Sequence, residues 1–247
     1  MKKYKLTDET IEYNCVTLYR IEALRNFGSI KAGDKGGFVQ SYHNLSQEED
    51  CWIHGEAKVF GNAKVYGNAS VYGKASVFGN AKVYGNAKVY GNASVYGKAS
   101  VLGNAKVYGN AKVYGKASVF GNAKVYGYTS VFGNAFVFDD AKVYGNASMI
   151  CDAAVCNKAE VFGNAKVYGN ALVKGDAIIE TDRDYIVFKN WWSSGRYFIW
   201  TRSNNMWNVG CFYGTGKELI KKAYADSEDS GKEYERVVRY VESILAD

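Results

Sequence analysis

The feature that most constrains this chain is an aliphatic residue at every sixth position from Ile53 to Ile179. The run covers 22 positions without an interruption, and Met149 is its only member that is not β-branched. Alanine stands two residues before every later member except one, where Thr129 takes its place. The repeating unit reads G-N-A-K-V-Y.

This unit has a direct structural explanation. In a strand successive side chains alternate, so Ala63 and Val65 point to one side while Lys64 and Tyr66 point to the other. The Gly-Asn pair that follows tolerates positive φ and turns the chain. A flat arrangement would leave the Val/Ala side in water, whereas coiling the chain turns that side inward. Three such sides close a triangular coil of about 18 residues, so the sequence predicts a mainly β solenoid of about seven coils.

Two resemblances to known families refine this prediction. The unit V-Y-G-N-A-K resembles the hexapeptide pattern of left-handed parallel β-helix proteins, which implies a left-handed triangular solenoid. Residues 31–33 (KAG), 36–39 (GGFV), 44–46 (NLS) and 51–53 (CWI) resemble the start of the YdcK-like family. That family consists of bacterial and phage hexapeptide proteins to which acyl transfer is attributed.

The pattern divides the chain into three parts. Residues 1–50 are predicted to form a β-rich cap over the first coil, whose open edge would otherwise invite aggregation. Residues 51–180 are predicted to form the solenoid, and residues 181–247 a small C-terminal module of βββαα type.

The C-terminal module has its own local signals. Strands are predicted over residues 185–191, 196–202 and 206–213, joined by polar turns. Two capping boxes, Thr215 with Glu218 and Ser230 with Glu233, predict the starts of two helices.

Histidine usage argues against catalysis. Hexapeptide acyltransferases use a histidine base near a groove between subunits and often carry a loop that interrupts the coils. His43 and His54 are the only two histidines of this chain, and no insertion breaks the period. We therefore predict no catalytic residue, no metal site and no cofactor.

Cysteine usage and hydropathy suggest the compartment. The chain has 5 cysteines and no CxxC spacing, which indicates reduced thiols and a cytoplasmic protein. No stretch of apolar residues is long enough to span a membrane, so no membrane association is expected.

One side of the solenoid is predicted to be basic and aromatic. Residues 51–180 carry 14 basic and 7 acidic side chains, a net charge of +7. Cations interleaved with aromatic rings can hold a polyanion by charge and stacking. Lysine, however, lacks the bidentate phosphate geometry of arginine, so any nucleic-acid binding is expected to be weak. The predicted ladder consists of Tyr72, Tyr90, Tyr108 and Tyr126 beside Lys88, Lys106, Lys124 and Lys142.

Two further groups of residues are predicted to contact proteins. Phe136, Phe138 and Leu172 replace polar residues late in one side of the solenoid, which favours either an oligomer, most simply a trimer, or docking of the C-terminal module. Trp and Arg are common binding anchors, so the C-terminal strands are predicted to contact an unknown protein partner. The residues assigned to that contact are Trp191, Trp192, Arg196, Trp200 and Arg202.

These observations favour a non-catalytic binding or scaffold protein, in which a rigid shaft presents the C-terminal module. The family resemblance implies a phage-borne inhibitor or accessory protein. A CoA-dependent acyltransferase and a polyanion binder are the alternatives.

Overall fold

The computed structural model describes residues 2–191 and 195–246 and shows a mainly β solenoid with extra elements at both ends. Strands β1 (Tyr4–Tyr13), β2 (Val16–Ala23) and β3 (Lys35–Val39) come first, followed by a short 3-10 helix, Tyr42–Asn44. Strands β4 to β25 have two residues each: Trp52–Ile53, Lys58–Val59, Lys64–Val65, Ser70–Val71, Ser76–Val77, Lys82–Val83, Lys88–Val89, Ser94–Val95, Ser100–Val101, Lys106–Val107, Lys112–Val113, Ser118–Val119, Lys124–Val125, Ser130–Val131, Phe136–Val137, Lys142–Val143, Ser148–Met149, Ala154–Val155, Glu160–Val161, Lys166–Val167, Leu172–Val173 and Ile178–Ile179.

The two-residue strands form three parallel sheets, one on each side of the coil. Each strand pairs with the strand three further along the chain, so Lys88 lies beside Lys106 and Val89 beside Val107. Backbone N–H groups point to the next coil; the Tyr108 N–H, for example, donates to the Val125 carbonyl at 2.9 Å. The predicted β-solenoid is confirmed.

The solenoid has about eight turns, one more than predicted. The additional turn comes from the N-terminal cap, where β3 pairs in parallel with Lys58–Val59 and Leu45 bridges to Val65. Val39 and Leu45 are six residues apart, but Ile53 follows Leu45 by eight. Because of these two extra residues, the first turn does not follow the strict six-residue period that predicts the other turns.

The core consists of the periodic Val and Ala side chains. Every periodic position from Ile53 to Ile179 is buried, and so is each preceding alanine. Burial of one valine contributes about 1.5–3 kcal/mol, so a column of them dominates the stability. Thr129, the exception in the alanine column, is also buried and donates its hydroxyl to the Tyr126 carbonyl, which satisfies the polar group.

Glycine at the corners is needed for a close backbone approach. Gly127 has φ +80°, and a Cβ built there would lie 2.7 Å from the Gly145 carbonyl oxygen of the next coil. Three non-glycine residues, Asp139, Cys151 and Asn157, occupy the same corner position and also adopt positive φ. Stacking coil on coil therefore imposes the left-handed corner conformation on every residue there.

The N-terminal cap closes the first turn. Strand β2 pairs antiparallel with β1 on one side and with β3 on the other, and the three extend the largest sheet of the solenoid. Trp52 and Tyr4 are buried and pack edge to face. Gly36 and Gly37 let β3 lie close to its neighbours, because an added Cβ would lie 2.5 Å from the Ile21 side chain at Gly36 and 2.5 Å from the Ala57 carbonyl oxygen at Gly37.

The C-terminal module is a four-stranded antiparallel sheet followed by two helices, within the described residues. Its strands are β26 (Tyr185–Lys189), β27 (Tyr197–Thr201), β28 (Met206–Val209) and β29 (Phe212–Gly214). The prediction of one continuous strand over residues 206–213 was wrong. Gly210 takes positive φ and reverses the chain, so β28 and β29 form a hairpin.

Helix α1 (Gly216–Asp226) begins at the predicted capping box of Thr215 and Glu218. Helix α2 (Glu228–Ala246) begins earlier than predicted. The Ser227 hydroxyl accepts a hydrogen bond from the Ser230 N–H at 3.1 Å, so Ser230 lies in the first turn and not at the cap.

The module packs on the last coil. Tyr185 belongs to the solenoid core, and its hydroxyl donates to the Lys166 carbonyl at 2.9 Å. The Asn204 side-chain amide donates to Asp176 at 2.9 Å, and the Ser203 hydroxyl accepts from the Ile178 N–H at 2.7 Å. The solenoid is thus covered at both ends.

We expect Gly127→Ala to destabilise the protein more than Gly169→Ala. Both residues have positive φ, so alanine at either costs about 1–2 kcal/mol in backbone strain. An added Cβ at Gly169 meets nothing within 4 Å, whereas at Gly127 it meets the next coil and adds about 1–3 kcal/mol. Urea denaturation of both variants measures the difference. Equal losses would show that the coils do not approach as closely as described.

Candidate interaction surfaces

The predicted Lys/Tyr ladder lies on one face of the solenoid. Lys88, Lys106, Lys124 and Lys142 are consecutive partners in the eight-stranded sheet, two residues before Tyr90, Tyr108, Tyr126 and Tyr144 on the same side. The rings from Tyr72 to Tyr144 stack face to face, with centroids 4.6–5.0 Å apart and planes within 3° of parallel. We call this surface the Lys/Tyr face.

The stacking changes what the Lys/Tyr face can bind. Because each inner ring is sandwiched between two neighbours, its two faces are occupied and only its edge and hydroxyl point outward. A nucleobase therefore finds no ring face to stack on along the ladder, although the sequence suggested one. Burial in the stack also raises the pKa of Tyr72, Tyr90, Tyr108 and Tyr126, so the hydroxyls stay neutral donors.

The positive ladder ends at a carboxylate. Lys142 forms a 2.7 Å ion pair with Glu160, its partner on the next strand. The Tyr144 hydroxyl donates to Glu160 at 2.9 Å, and burial with this nearby charge raises the pKa of Tyr144 to about 12. The cations at Lys88, Lys106 and Lys124 therefore form the basic part of the face.

His54 stands at the other end of the same ladder. Its ring meets Tyr72 edge to face at 6.2 Å, and a shallow pocket of about 380 Å³ lies between His54, Ser70, Tyr72 and Lys88. Burial lowers the pKa of His54, so the imidazole is neutral at neutral pH. His43 lies on the short helix of the cap and is exposed.

The apolar residues Phe136, Phe138 and Leu172 share one face in the seven-stranded sheet. Phe138 stacks on Phe120 at 5.0 Å, and Phe136 is 41% exposed. The C-terminal module covers the end of the solenoid and leaves Phe136 accessible. The module contacts this face at its Leu172 end, where β27 meets the Leu172–Val173 strand and the Lys174 ammonium lies 4.8 Å from the Tyr213 ring centroid.

The tryptophans of the C-terminal module divide into two groups. Trp200 is only 2% exposed and packs with Trp207 in the core of the module, so its assignment to a partner contact was wrong. Strand alternation alone does not say whether the Trp200 side chain points toward the helices or away from them. The packing of the sheet on the helices places it in the core. Trp191 is 74% exposed, with the Lys189 ammonium 4.1 Å from its ring centroid. Trp192 lies outside the described residues.

The two arginines assigned to that contact are both exposed. The Arg202 backbone N–H donates to the Asp184 carbonyl at 2.8 Å at the start of the sheet. The Arg196 side chain lies close to Gly210, at the tip of the β28–β29 hairpin. Arg202 and Arg196 therefore border the module at two different places.

A cavity of about 290 Å³ lies between the sheet and α2. Phe188, Phe198 and Val237 form its apolar walls, and Lys189, Glu233 and Arg236 bring charged groups to it. Sequence reasoning missed this cavity because Phe188 and Val237 come together only when α2 packs on the sheet. Lys189 is one of the lining residues, and its ammonium lies 4.1 Å from the Trp191 ring centroid and 5.5 Å from that of Tyr197.

Comparison with protein-family models and with curated proteins finds no match for this chain. Among the described residues, no group of three His, Cys, Asp or Glu side chains could hold a metal ion. Neither helix, over its described length, is long and apolar enough to cross a membrane. All five cysteines are free thiols in the structure.

We expect the Lys/Tyr face to bind DNA and RNA weakly and without sequence preference. Charge contacts release counterions, so affinity should fall steeply with salt. Lys106→Glu with Lys124→Glu should abolish the binding, whereas Lys112→Glu with Lys166→Glu, an equal charge change on another face, should retain most of it. Fluorescence anisotropy at two salt concentrations measures both. Sequence-selective binding that survives high salt would contradict this expectation.

We also expect no acetyl- or succinyl-CoA transferase activity, because His54 is the one histidine on the solenoid and no loop surrounds it. Titration calorimetry with both CoA thioesters should give no binding heat. Sub-millimolar binding that His54→Ala removes and His43→Ala retains would instead support an acyltransferase.

Proposed function

We propose that this protein is a non-catalytic binding protein, in which the solenoid is a rigid shaft and the C-terminal module binds a protein partner. The observations that carry the proposal are the exposed Trp191, whose ring meets the Lys189 ammonium, and the apolar cavity that Lys189 also lines. We call Trp191 and this cavity the Trp191 site.

The composition of the Trp191 site fits a protein–protein contact. Exposed tryptophan is a common anchor because it buries a large area at low entropic cost. The cavity supplies a complementary receptor, with Phe188, Phe198 and Val237 as walls for an apolar side chain of the partner. Lys189, Glu233 and Arg236 give the polar rim that such contacts usually have.

The shaft gives the Trp191 site a fixed direction. Each coil is hydrogen-bonded to the next along all three sheets, and the module is tied to the last coil by Tyr185, Asn204 and Ser203. A solenoid built in this way bends little, so the position of its N-terminal cap fixes the position of its C-terminal module. The partner would therefore be held at a set distance from whatever holds the cap.

The resemblance of the cap and the repeat to YdcK-like hexapeptide proteins supports a phage-borne inhibitor or accessory protein acting in the cytoplasm. Left-handed coiling is part of the same proposal. An acyltransferase at His54 and a polyanion binder at the Lys/Tyr face are the competing functions, and both have the separate tests described above.

We expect Trp191→Ala and Val237→Trp to abolish capture of the partner, the first by removing the anchor and the second by filling the cavity. Quantitative mass spectrometry of proteins captured from a lysate of the source cells compares each variant with the wild type. Loss of a hot-spot tryptophan should weaken binding by about 2 kcal/mol or more.

Matched controls make this experiment specific. Tyr128→Ala removes an aromatic ring that is 70% exposed on the solenoid, and Ile244→Trp makes an equivalent enlargement near the end of α2. Both should retain the partner. A captured protein lost equally from Trp191→Ala and Tyr128→Ala would show that the Trp191 site is not the binding surface. Melting curves establish that each variant is folded.

A further inference from the structure

The outward column of the ten-stranded sheet ends at Tyr168, which follows Lys166–Val167, the last strand of that sheet. Inner rings of the column, such as Tyr114, are sandwiched between two neighbours with centroids 4.8–4.9 Å apart. Among the described residues no ring of the column follows Tyr168, and its side chain is 58% exposed. The end of the column therefore offers the aromatic surface that stacking removes elsewhere.

A groove of about 370 Å³ lies beside Tyr168, where the C-terminal module meets the end of the solenoid. Tyr185 meets Tyr168 with 6.3 Å between ring centroids and with the ring planes 74° apart, so two walls of the groove stand nearly at right angles. Tyr197 brings a third ring, and Val187 an aliphatic side chain. We call this groove the tyrosine groove.

The tyrosine groove and the cavity of the Trp191 site lie on opposite sides of the module sheet. Tyr185 and Val187 pack on the solenoid core, and Tyr197 shares their side because it pairs with the residue two positions after Val187. Phe188 and Phe198, which line the cavity, point to the helices. An inference about the groove is therefore independent of the proposed function.

The charge of the tyrosine groove is negative. Among the described residues that line it, Asp182 carries the only charge. The Asp182 Oδ1 atom accepts a hydrogen bond from the Lys166 N–H at 2.6 Å, which fixes the position of the carboxylate. The Lys189 ammonium lies 5.5 Å from the Tyr197 ring centroid, but Lys189 is outside the lining of the groove.

We propose that the tyrosine groove binds a quaternary ammonium group, such as that of choline. The faces of aromatic rings attract cations, and a cluster of rings with a nearby carboxylate suits a cation that has no N–H to donate. The volume lies at the lower end of the range for small-molecule sites, roughly 300–1,000 Å³, which suits a small ligand. The Asn170 side chain supplies a hydrogen-bonding group for the polar remainder of the ligand.

Titration calorimetry of the whole chain tests the role of the ligand's charge. Tetramethylammonium and choline should both bind. The neutral isostere of choline, in which a carbon atom replaces the nitrogen, has the same shape and should bind at least about tenfold more weakly. Equal affinities for choline and its isostere would overturn the proposal, and so would the absence of binding by both cations.

Variants locate the binding in the groove. Tyr168→Leu keeps an apolar side chain but removes the ring, so it should weaken choline binding by about tenfold, whereas Tyr168→Phe should retain it. Asp182→Asn keeps an acceptor for the Lys166 N–H and should weaken binding by about threefold. Tyr128→Leu is the matched control, since Tyr128 is 70% exposed elsewhere on the solenoid, and it should bind like the wild type.

Melting curves establish that each variant is folded. Full binding by a folded Tyr168→Leu variant would contradict the proposal. Flotation with phosphatidylcholine vesicles, compared with phosphatidylglycerol vesicles, distinguishes two sources of the same group. Retention on phosphatidylcholine that Tyr168→Leu abolishes would identify a lipid headgroup, whereas binding of free choline alone would identify a soluble compound, and either result supports the site.

Discussion

The structure depends on the stacking of each coil on the next through backbone hydrogen bonds that recur about every 18 residues. Because the bonds connect equivalent positions, every side chain lies beside its counterpart in the neighbouring coils, as Lys88 lies beside Lys106. The inward columns become a continuous Val/Ala core, and the corners accept only residues that tolerate positive φ and a backbone in close contact, as at Gly127.

The same stacking governs the surface. Tyrosines in one column place their ring faces against each other, which stabilises the shaft but removes those faces from ligand binding. Function is therefore to be sought where the repeat is broken. Two such places are the outward side of the seven-stranded sheet, where Phe136 replaces lysine or serine, and the C-terminal module, which has an exposed Trp191 and a cavity between the sheet and α2.

Sequence reasoning succeeded where structure is local and periodic and failed where the period changes. It gave the solenoid and the cap of α1 at Thr215, since both follow from neighbouring residues. It missed the first turn because eight residues separate Leu45 from Ile53, and it missed the break between β28 and β29 at Gly210. In each case the deciding interaction was a contact with another strand.

The sequence by itself determined the inward and outward assignment of residues 53–179, because a six-residue period allows one arrangement that buries every aliphatic side chain. Only the tertiary structure decided the fate of the C-terminal aromatics. Trp200 is buried and Trp191 exposed, and Phe188 meets Val237 across a cavity, because α2 packs on the sheet from a distant part of the chain. Alternation along a strand specifies two faces, but the packing partner determines which of them is buried.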